Sequence, residues 1–113
     1  MNVKRNSAVE REILRPLWKV HILHHASESP ISGNWMLEEL REHGYKVSPG
    51  TLYPMLGRLT QLGWLRRVAE DGGPRSKKAV VRYRLGAAGK VALAEVSARL
   101  QELQKEVFPR RRG

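Results

Sequence analysis

One stretch near the middle of the chain carries side chains that could bind the phosphates and bases of nucleic acid. At its start, Ser48, Gly50 and Thr51 combine a backbone N–H, a close approach and a hydroxyl group, which together suit a phosphate at a helix N-terminus. Tyr53 can reach a phosphate or stack, and Arg58 can contact a phosphate or a guanine edge. We therefore predict a DNA-contacting surface here, with specificity resting first on Arg58.

The helix that must position these groups is predicted over residues 48–62. Ser48 can cap it, Pro49 suits its first position, and Gly63 is typical of the residue that follows a helix. Apolar residues at helical spacing form one stripe for the core: Leu52, Met55, Leu56, Leu59 and Leu62. The opposite face is polar without any acid, and Pro54 there lacks an N–H, a minor loss near a helix start. This pattern favours a recognition helix in the DNA major groove, with an ordinary surface helix as the alternative.

A basic hairpin is predicted to follow this helix. Its strands cover residues 64–69 and 80–85, its loop covers residues 70–78, and it carries seven Lys or Arg against two acids. Such a loop can enter the minor groove or lie along phosphates. The candidate contacts are Arg75, Lys77 and Lys78. A solvated run of charges is the alternative for this loop taken alone.

Three histidines lie close together near the end of the first predicted helix: His21, His24 and His25. His21 and His25 have the i, i+4 spacing of helical zinc ligands, but no Cys or neighbouring Glu supplies a third ligand. We therefore predict no metal and no cofactor. A role at the helix end or in a subunit contact is favoured.

The first helix is predicted from residue 8 to about residue 25. Ser7 and Glu10 form a capping box, and Pro16 predicts a kink. The apolar face is wide, which suggests contact with both the core of the chain and a second subunit. Leu14 and Trp18 are its candidates for a dimer surface.

A loop is predicted over residues 26–30, and a second helix from Ser32 or Gly33 to His43, ended by Gly44. Trp35 at its start is interpreted equally well as exposed or as half-buried. This helix and the predicted recognition helix are joined by only a few residues, which is typical of a helix-turn-helix.

The last helix is predicted from residue 87 to about residue 107. Its apolar residues step by three and four in a short heptad pattern that suits dimerisation: Leu93, Val96, Leu100, Leu103 and Val107. The order of elements predicts a mainly α fold with a small β-hairpin, a winged helix-turn-helix over residues 8–86. A dimerisation helix over residues 87–108 follows, with flexible tails over residues 1–7 and 109–113.

Composition fits this interpretation. The chain has 113 residues, enough for one domain, and 21 Lys and Arg against 11 Asp and Glu give it a net charge of +10, which points to a polyanionic partner. The absence of Cys excludes disulfides and thiol catalysis. No apolar run is long enough to span a membrane, and no signal-peptide core is seen, so a cytoplasmic protein is expected. Scattered acids without a nucleophile beside a base predict that the chain is not an enzyme.

Two segments resemble the PadR family of bacterial transcriptional regulators, and the resemblance extends over nearly the whole chain. Residues 48–59, Ser-Pro-Gly-Thr-Leu-Tyr-Pro-Met-Leu-Gly-Arg-Leu, look like the recognition-helix signature of that family. Residues 82–89 are similar to its second wing strand and the start of its last helix. Gly86 departs from the pattern, because the family usually has a Thr there that would cap the helix.

The resemblance implies a homodimer formed through the first and last helices that reads a pseudo-palindromic operator as a repressor. It is closest to members with a single short C-terminal helix. Some members release DNA when a small hydrophobic effector binds between the subunits, and Trp18 and Phe108 are the local candidates for such a site. A basic RNA-binding or ribosome-associated module is the alternative function.

Overall fold

The computed structural model describes residues 7–68 and 80–108. Within these ranges the chain forms four helices and three strands. The first helix, α1, runs through three consecutive segments, Ser7–Val9, Glu10–Leu14 and Arg15–Glu28. The other elements are β1 (Ile31–Ser32), α2 (Gly33–Glu42), α3 (Pro49–Gln61), β2 (Leu65–Val68), β3 (Arg82–Leu85) and α4 (Ala87–Val107). The predicted hairpin loop 70–78 and the predicted tails, apart from Ser7, lie outside the described residues.

Helix α1 is longer than predicted and irregular where its proline predicts a kink. Ser7 is itself helical, so the predicted start with Ser7 as a cap is wrong. The segment before Pro16 is a π-helical turn, in which the Arg15 N–H donates to the carbonyl of Glu10. This wider turn relieves the crowding that a proline ring imposes on the preceding turn. At the other end the helix continues to Glu28, because Ala26 is buried in the core and tertiary packing extends the helix into the predicted loop.

The sheet is antiparallel, with the strand order β1-β3-β2. In the hairpin, Leu65 pairs with Leu85 and Arg66 pairs with Arg84. Strand β1 adds a third edge that the sequence does not predict, with Ile31 opposite Tyr83. A two-residue strand is too short to show alternation, so only the fold reveals it. Strand β2 begins one residue after its predicted start and β3 begins two residues after its predicted start, while the predicted end of the first strand at residue 69 lies outside the described residues.

The core lies between α1, α2, α3 and the inner face of the sheet. Its largest fully buried side chains include an aromatic residue from α1 and the apolar stripe of α3: Trp18, Ile22, Met36, Leu40, Leu52, Leu56, Leu59 and Leu65. Met55 is half-buried beside them, whereas Leu62 is exposed, contrary to the prediction. Helix α3 ends at Gln61, so Leu62 leaves the buried stripe, and Gly63 then adopts the left-handed conformation with φ 79°.

Helix α4 packs on the body of the molecule through its first half, and Leu100 beyond it still lines a cavity against α1. Gly86 and Gly89 lie directly against the backbone of Gly63 and Trp64, so closely that a Cβ atom at either glycine would overlap the carbonyl oxygens there. The rest of the helix extends away, and the molecule measures 60 × 36 × 25 Å. Its radius of gyration is 16.5 Å, against about 13 Å for a compact domain of this length. The single chain therefore leaves the second half of α4 without a core.

Candidate nucleic-acid interface

Helices α2 and α3 form a braced helix-turn-helix. Ser32 caps α2, since its hydroxyl oxygen accepts a hydrogen bond from the backbone N–H of Trp35 at 3.1 Å. In the turn, the Arg41 guanidinium donates through Nε and Nη2 to the carbonyl of Val47, at 3.2 and 2.9 Å. Val47 is itself buried in the core. These contacts fix the connection immediately before α3 and so the direction in which α3 is presented.

Tyr53 is held in place by a glycine on the neighbouring helix. Its ring lies over the start of α2, and a Cβ atom at Gly33 would come within 2.8 Å of both Tyr53 Cζ and Tyr53 Oη. The tyrosine is nevertheless exposed on its other side. Sequence reasoning missed Gly33, because a close approach between two helices leaves no local pattern around the glycine. The only sequence signal for this contact is the glycine at the first position of α2, where several other residue types would start a helix equally well.

The centre of the outward-facing side of α3 carries mostly small side chains. Gly50, Pro54, Gly57 and Gln61 follow one another at helical spacing opposite the buried leucines, and we call these four residues the outer ridge. A Cβ atom at Gly50 or Gly57 would meet nothing within 4 Å. The packing of the chain itself therefore does not require glycine at either position, although glycine in a helix interior costs about 1 kcal/mol relative to alanine.

The predicted contact residues flank this ridge. Ser48, Tyr53 and Arg58 are exposed and Thr51 is half-buried, and none of them lies beside an acid on α3. Ser48 occupies the N-cap position with an extended backbone, but its side chain makes no capping hydrogen bond. Its hydroxyl instead donates to Thr51 Oγ1 at 3.3 Å. The predicted capping by the Ser48 side chain is therefore wrong, and both hydroxyl groups stay at the surface.

The hairpin adds arginines beside the helix-turn-helix. Arg66 and Arg84 are exposed and directly opposite each other on β2 and β3, and Arg82 is exposed further along β3. Like charges opposite each other in a ladder are destabilising unless something negative lies near them. The predicted loop contacts Arg75, Lys77 and Lys78 lie outside the described residues, so they stay predictions.

The histidines of α1 meet polar residues of α2. His25 Nε2 lies 3.4 Å from Glu39 Oε2, and His43 Nε2 lies 3.1 Å from the same oxygen. His21 Nε2 is 3.0 Å from the Tyr45 hydroxyl. The reason that the sequence offers against a metal, a missing third ligand, therefore does not hold in the folded chain. Spacing along one helix could not show that α2 brings Glu39 and His43 to this point.

Burial also shifts the acid–base behaviour of this cluster. Desolvation is the main cause that lowers the pKa of His21, and the neighbouring His43 lowers it further. Desolvation likewise lowers the pKa of His25, against the opposing effect of Glu39. Burial raises the pKa of the Tyr45 phenol. The two histidines of α1 are thus held in their neutral form near neutral pH.

The predicted dimer residues divide into two groups. Leu14, Leu93 and Val96 are half-buried, and the remaining residues of the α4 pattern are exposed, Leu103 by 52%. Trp18 is only 1% exposed and belongs to the core of the single chain. The wide apolar face of α1 turns this residue inward, so the single chain offers it no surface to a second copy, and its predicted role in an effector site stays a prediction.

A cavity of about 380 Å³ lies between α1, α4 and the helix-turn-helix connection. Its lining is mostly apolar and is contributed by both helices and by one tyrosine: Leu17, Val20, His21, His24, Tyr45 and Leu100. Neither Trp18 nor Phe108 lines it, and Phe108 is 71% exposed at the end of α4. Trp35 is exposed on one side, with its ring edge-on to His25 at 5.1 Å between centroids.

Comparison with known proteins decides the family. The sequence model of the family described as "Transcriptional regulator PadR-like family" matches residues 22–95, more than half of the chain. The chain belongs to this PadR-like family. The matched residues include α2, α3, the hairpin and the start of α4, so the family match covers the braced helix-turn-helix described above.

Individual relatives agree with the family match. The PadR-like chain is similar to "Transcriptional regulator Rv3488" of Mycobacterium tuberculosis, at 43% identity over 98 residues that cover 87% of this chain and 89% of the relative. A solved PadR family regulator from Eggerthella lenta is 30% identical, with a TM-score of 0.72 over 89% of this chain and 87% of that one. A PadR-like regulator from Bacillus cereus, at 23% identity, shares the fold, with a TM-score of 0.73 over 85% of this chain and 92% of that one.

The PadR-like protein is thus a transcriptional regulator and not an enzyme. The predictions of the family and of a mainly α winged-helix fold with a small sheet are confirmed. None of the described helices is both long and apolar enough to cross a membrane.

Proposed function

We propose that this PadR-like regulator binds double-stranded DNA as a homodimer and represses transcription at a pseudo-palindromic operator. The observation that carries DNA binding is the outer ridge of α3. Two glycines there leave open space that the fold does not use, so the reason for them is sought in a partner that approaches the helix backbone closely. The floor and walls of a major groove about 12 Å wide are such a partner.

The flanks of the ridge supply the contacts. Tyr53, braced on Gly33, stands on one side, and Arg58 stands on the other. At the start of α3, the Ser48 and Thr51 hydroxyl groups face solvent with the backbone of Gly50 between them, an arrangement suited to a phosphate. In this assignment Ser48, Gly50, Thr51 and Tyr53 anchor the backbone of DNA, and Arg58 reads a base.

Charge supports the same partner. The chain has a net charge of +10, and the exposed arginines of the hairpin lie beside the helix-turn-helix. We propose that the loop 70–78 contacts the minor groove or the phosphates through Arg75, Lys77 and Lys78. A regulator that acts on chromosomal DNA in this way works in the bacterial cytoplasm.

A second copy of the chain would cover the exposed seam of α4. Leu100, Leu103 and Val107 are exposed along one side of a helix that leaves the body of the molecule. The exposed Ile13 on α1 offers further apolar surface. A twofold pair of these helices would bury both seams and would place two copies of α3 on one side, as a pseudo-palindromic operator requires.

The cavity between α1 and α4 is the place where we propose a small hydrophobic effector. Its apolar lining includes Leu100 of the proposed dimer helix and Tyr45 of the helix-turn-helix connection. A ligand there would contact both the dimer helix and the segment that leads into α3. The volume of about 380 Å³ is suited to a molecule of one or two rings.

Selection of bound sequences from a random duplex pool tests the proposal. A palindrome should emerge, and binding of the selected duplex should fall steeply with salt because phosphate contacts release counterions. RNA of the same sequence should bind more weakly. Equal binding of RNA, or selection of no motif, would contradict operator recognition.

Point variants separate the assigned roles. Arg58→Ala should weaken binding to the selected operator more than binding to random DNA, because it removes a base contact. Lys77→Ala and Lys78→Ala should weaken both, because they remove phosphate contacts. Equal losses on operator and random DNA for Arg58→Ala would remove its base-reading role.

A further inference from the structure

Four side chains of types that can bind metal ions lie close together where α1 packs against α2. His21 and His25 stand one turn apart on α1, so they share one face of that helix. Glu39 lies on α2, and His43, the residue that directly follows α2, places its Nε2 atom 3.1 Å from Glu39 Oε2. The two pairs face each other where α1 and α2 pack.

Two of the distances match those between neighbouring ligands of one ion. The Nε2 atoms of His25 and His43 lie 3.4 and 3.1 Å from Glu39 Oε2. Ligand atoms about 2.0–2.1 Å from a tetrahedral zinc ion are separated from each other by about 3.3 Å. One ring nitrogen from each of His21, His25 and His43 also lies within 4.8 Å of the other two. A small movement of side chains would therefore complete the sphere.

The side chains of this cluster are partly buried, and solvent reaches them mainly from the side of His43. The side chains of His25 and Glu39 are 19% and 22% exposed, and that of His43 is 48% exposed. The Trp35 ring lies edge-on against His25 and shields that side from water. An apolar wall of this kind limits solvent access to bound metal.

Hydrogen bonding alone accounts poorly for this arrangement. A single carboxylate oxygen faces two imidazole nitrogens, and a third imidazole, that of His21, lies with its ring centroid 4.8 Å from that of His43. An exposed His–Glu pair contributes little to stability. A divalent ion would instead use both imidazoles and the carboxylate at once, and imidazole with carboxylate is a donor set that suits zinc.

We propose that His25, Glu39 and His43 bind a divalent transition-metal ion of the zinc type, with His21 as the fourth ligand. His21 would exchange its contact with the Tyr45 hydroxyl for the metal. The ion would join α1 to α2, the helix that supports Tyr53 through Gly33. The site does not depend on the proposed DNA binding and is tested without DNA.

The test is a calorimetric titration of the full chain, without a histidine tag, with ZnCl2 in a buffer that does not bind metal. We expect one ion per chain. His43→Ala and Glu39→Gln should each weaken binding by more than about 10- to 100-fold, because the loss of an outer-shell partner alone already costs that much. Co2+ should give the visible absorption of a tetrahedral site, and that absorption should weaken in the same variants.

The control is His24→Ala. His24 is exposed and adjacent to the site, and it forms with His25 and Glu28 a second possible ligand group at the end of α1, which shares His25 but not Glu39 or His43. This variant should bind the ion like the unaltered chain. The proposal is overturned if no ion binds, if folded His43→Ala and Glu39→Gln bind normally, or if His24→Ala removes binding. Far-ultraviolet circular dichroism checks that each variant is folded.

Discussion

The sharpest prediction concerns Gly57 on the outer ridge of α3. Gly57→Ala adds a methyl group where, apart from the neighbouring residues and backbone of α3 itself, none of the described residues has an atom within 4 Å. The substitution should therefore raise the stability of the fold and lower its affinity for DNA. Few substitutions at a DNA interface raise stability and lower affinity together, so the two effects can be told apart from simple damage to the fold.

The gain in stability follows from helix propensity. Alanine is favoured over glycine by about 1 kcal/mol in a helix interior. Gly57 lies well inside α3, which runs from Pro49 to Gln61, so most of this value should appear. For a domain of this size the midpoint of thermal unfolding should rise by roughly 4 °C.

The loss of affinity follows from the close approach. If the ridge rests in the groove, the methyl group holds the helix away from DNA and lengthens the flanking contacts to phosphate. Losing one charge-assisted hydrogen bond costs about 1.5–3 kcal/mol, which is about 10- to 100-fold in Kd. Fluorescence anisotropy on the selected operator at fixed salt measures this change.

Ser27→Ala is the matched control. Ser27 is exposed in the last turn of α1, where its hydroxyl donates to the carbonyl of His24, so alanine there should change stability little, and DNA affinity should stay unchanged. If Gly57→Ala raises the unfolding midpoint and binds the operator as tightly as the unaltered chain, then the ridge does not face DNA and the orientation of α3 in the groove is wrong.

Three further predictions test the proposed dimer seam of α4, the start of α4 and the contact between Gly33 and Tyr53. Leu103→Glu should weaken the proposed dimer. Leu103 is 52% exposed in the single chain, so burying it at the interface contributes about 1 kcal/mol per copy. A twofold interface contains two copies, so the substitution should cost about 2 kcal/mol, or about 30-fold in the dimer dissociation constant, before the cost of burying the carboxylates. Sedimentation that shows an unchanged dimer refutes this seam. Gly86→Thr should destabilise the fold by about 1–3 kcal/mol, because its Cβ meets the Gly63 carbonyl; an unchanged unfolding midpoint contradicts this. Gly33→Ala should displace the Tyr53 ring and weaken DNA binding; in a double-mutant cycle it should add nothing to Tyr53→Ala, and full additivity would disprove the coupling.

Helix α3 could be predicted from the sequence because its signals are local. Pro49 and Gly63 mark its ends, and leucines at helical spacing mark its buried side, so the predicted range 48–62 differs from the observed helix by one residue at each end. The same holds for α2, which is predicted from Ser32 or Gly33 to His43 with Gly44 after it, and which runs from Gly33 to Glu42.

Features that depend on distant parts of the chain could not be predicted. The wide apolar face of α1 indicated two contacts, but periodicity alone could not show that Trp18 turns to the core and Ile13 to the surface. Strand β1 exists only because β3 offers an edge to it. The approach of Glu39 to His25 likewise arises from the packing of two helices, which no spacing along one of them reveals.

Arg66 and Arg84 lie opposite each other, so their like charges repel across the hairpin. Like charges opposite each other oppose strand pairing by about 0.2–1 kcal/mol, and salt screens this repulsion. Raising the ionic strength should therefore tighten the hairpin of the free protein even as it weakens attraction to DNA. A polyanion bound along the hairpin would neutralise the same charges, so binding should stabilise the pairing of β2 with β3.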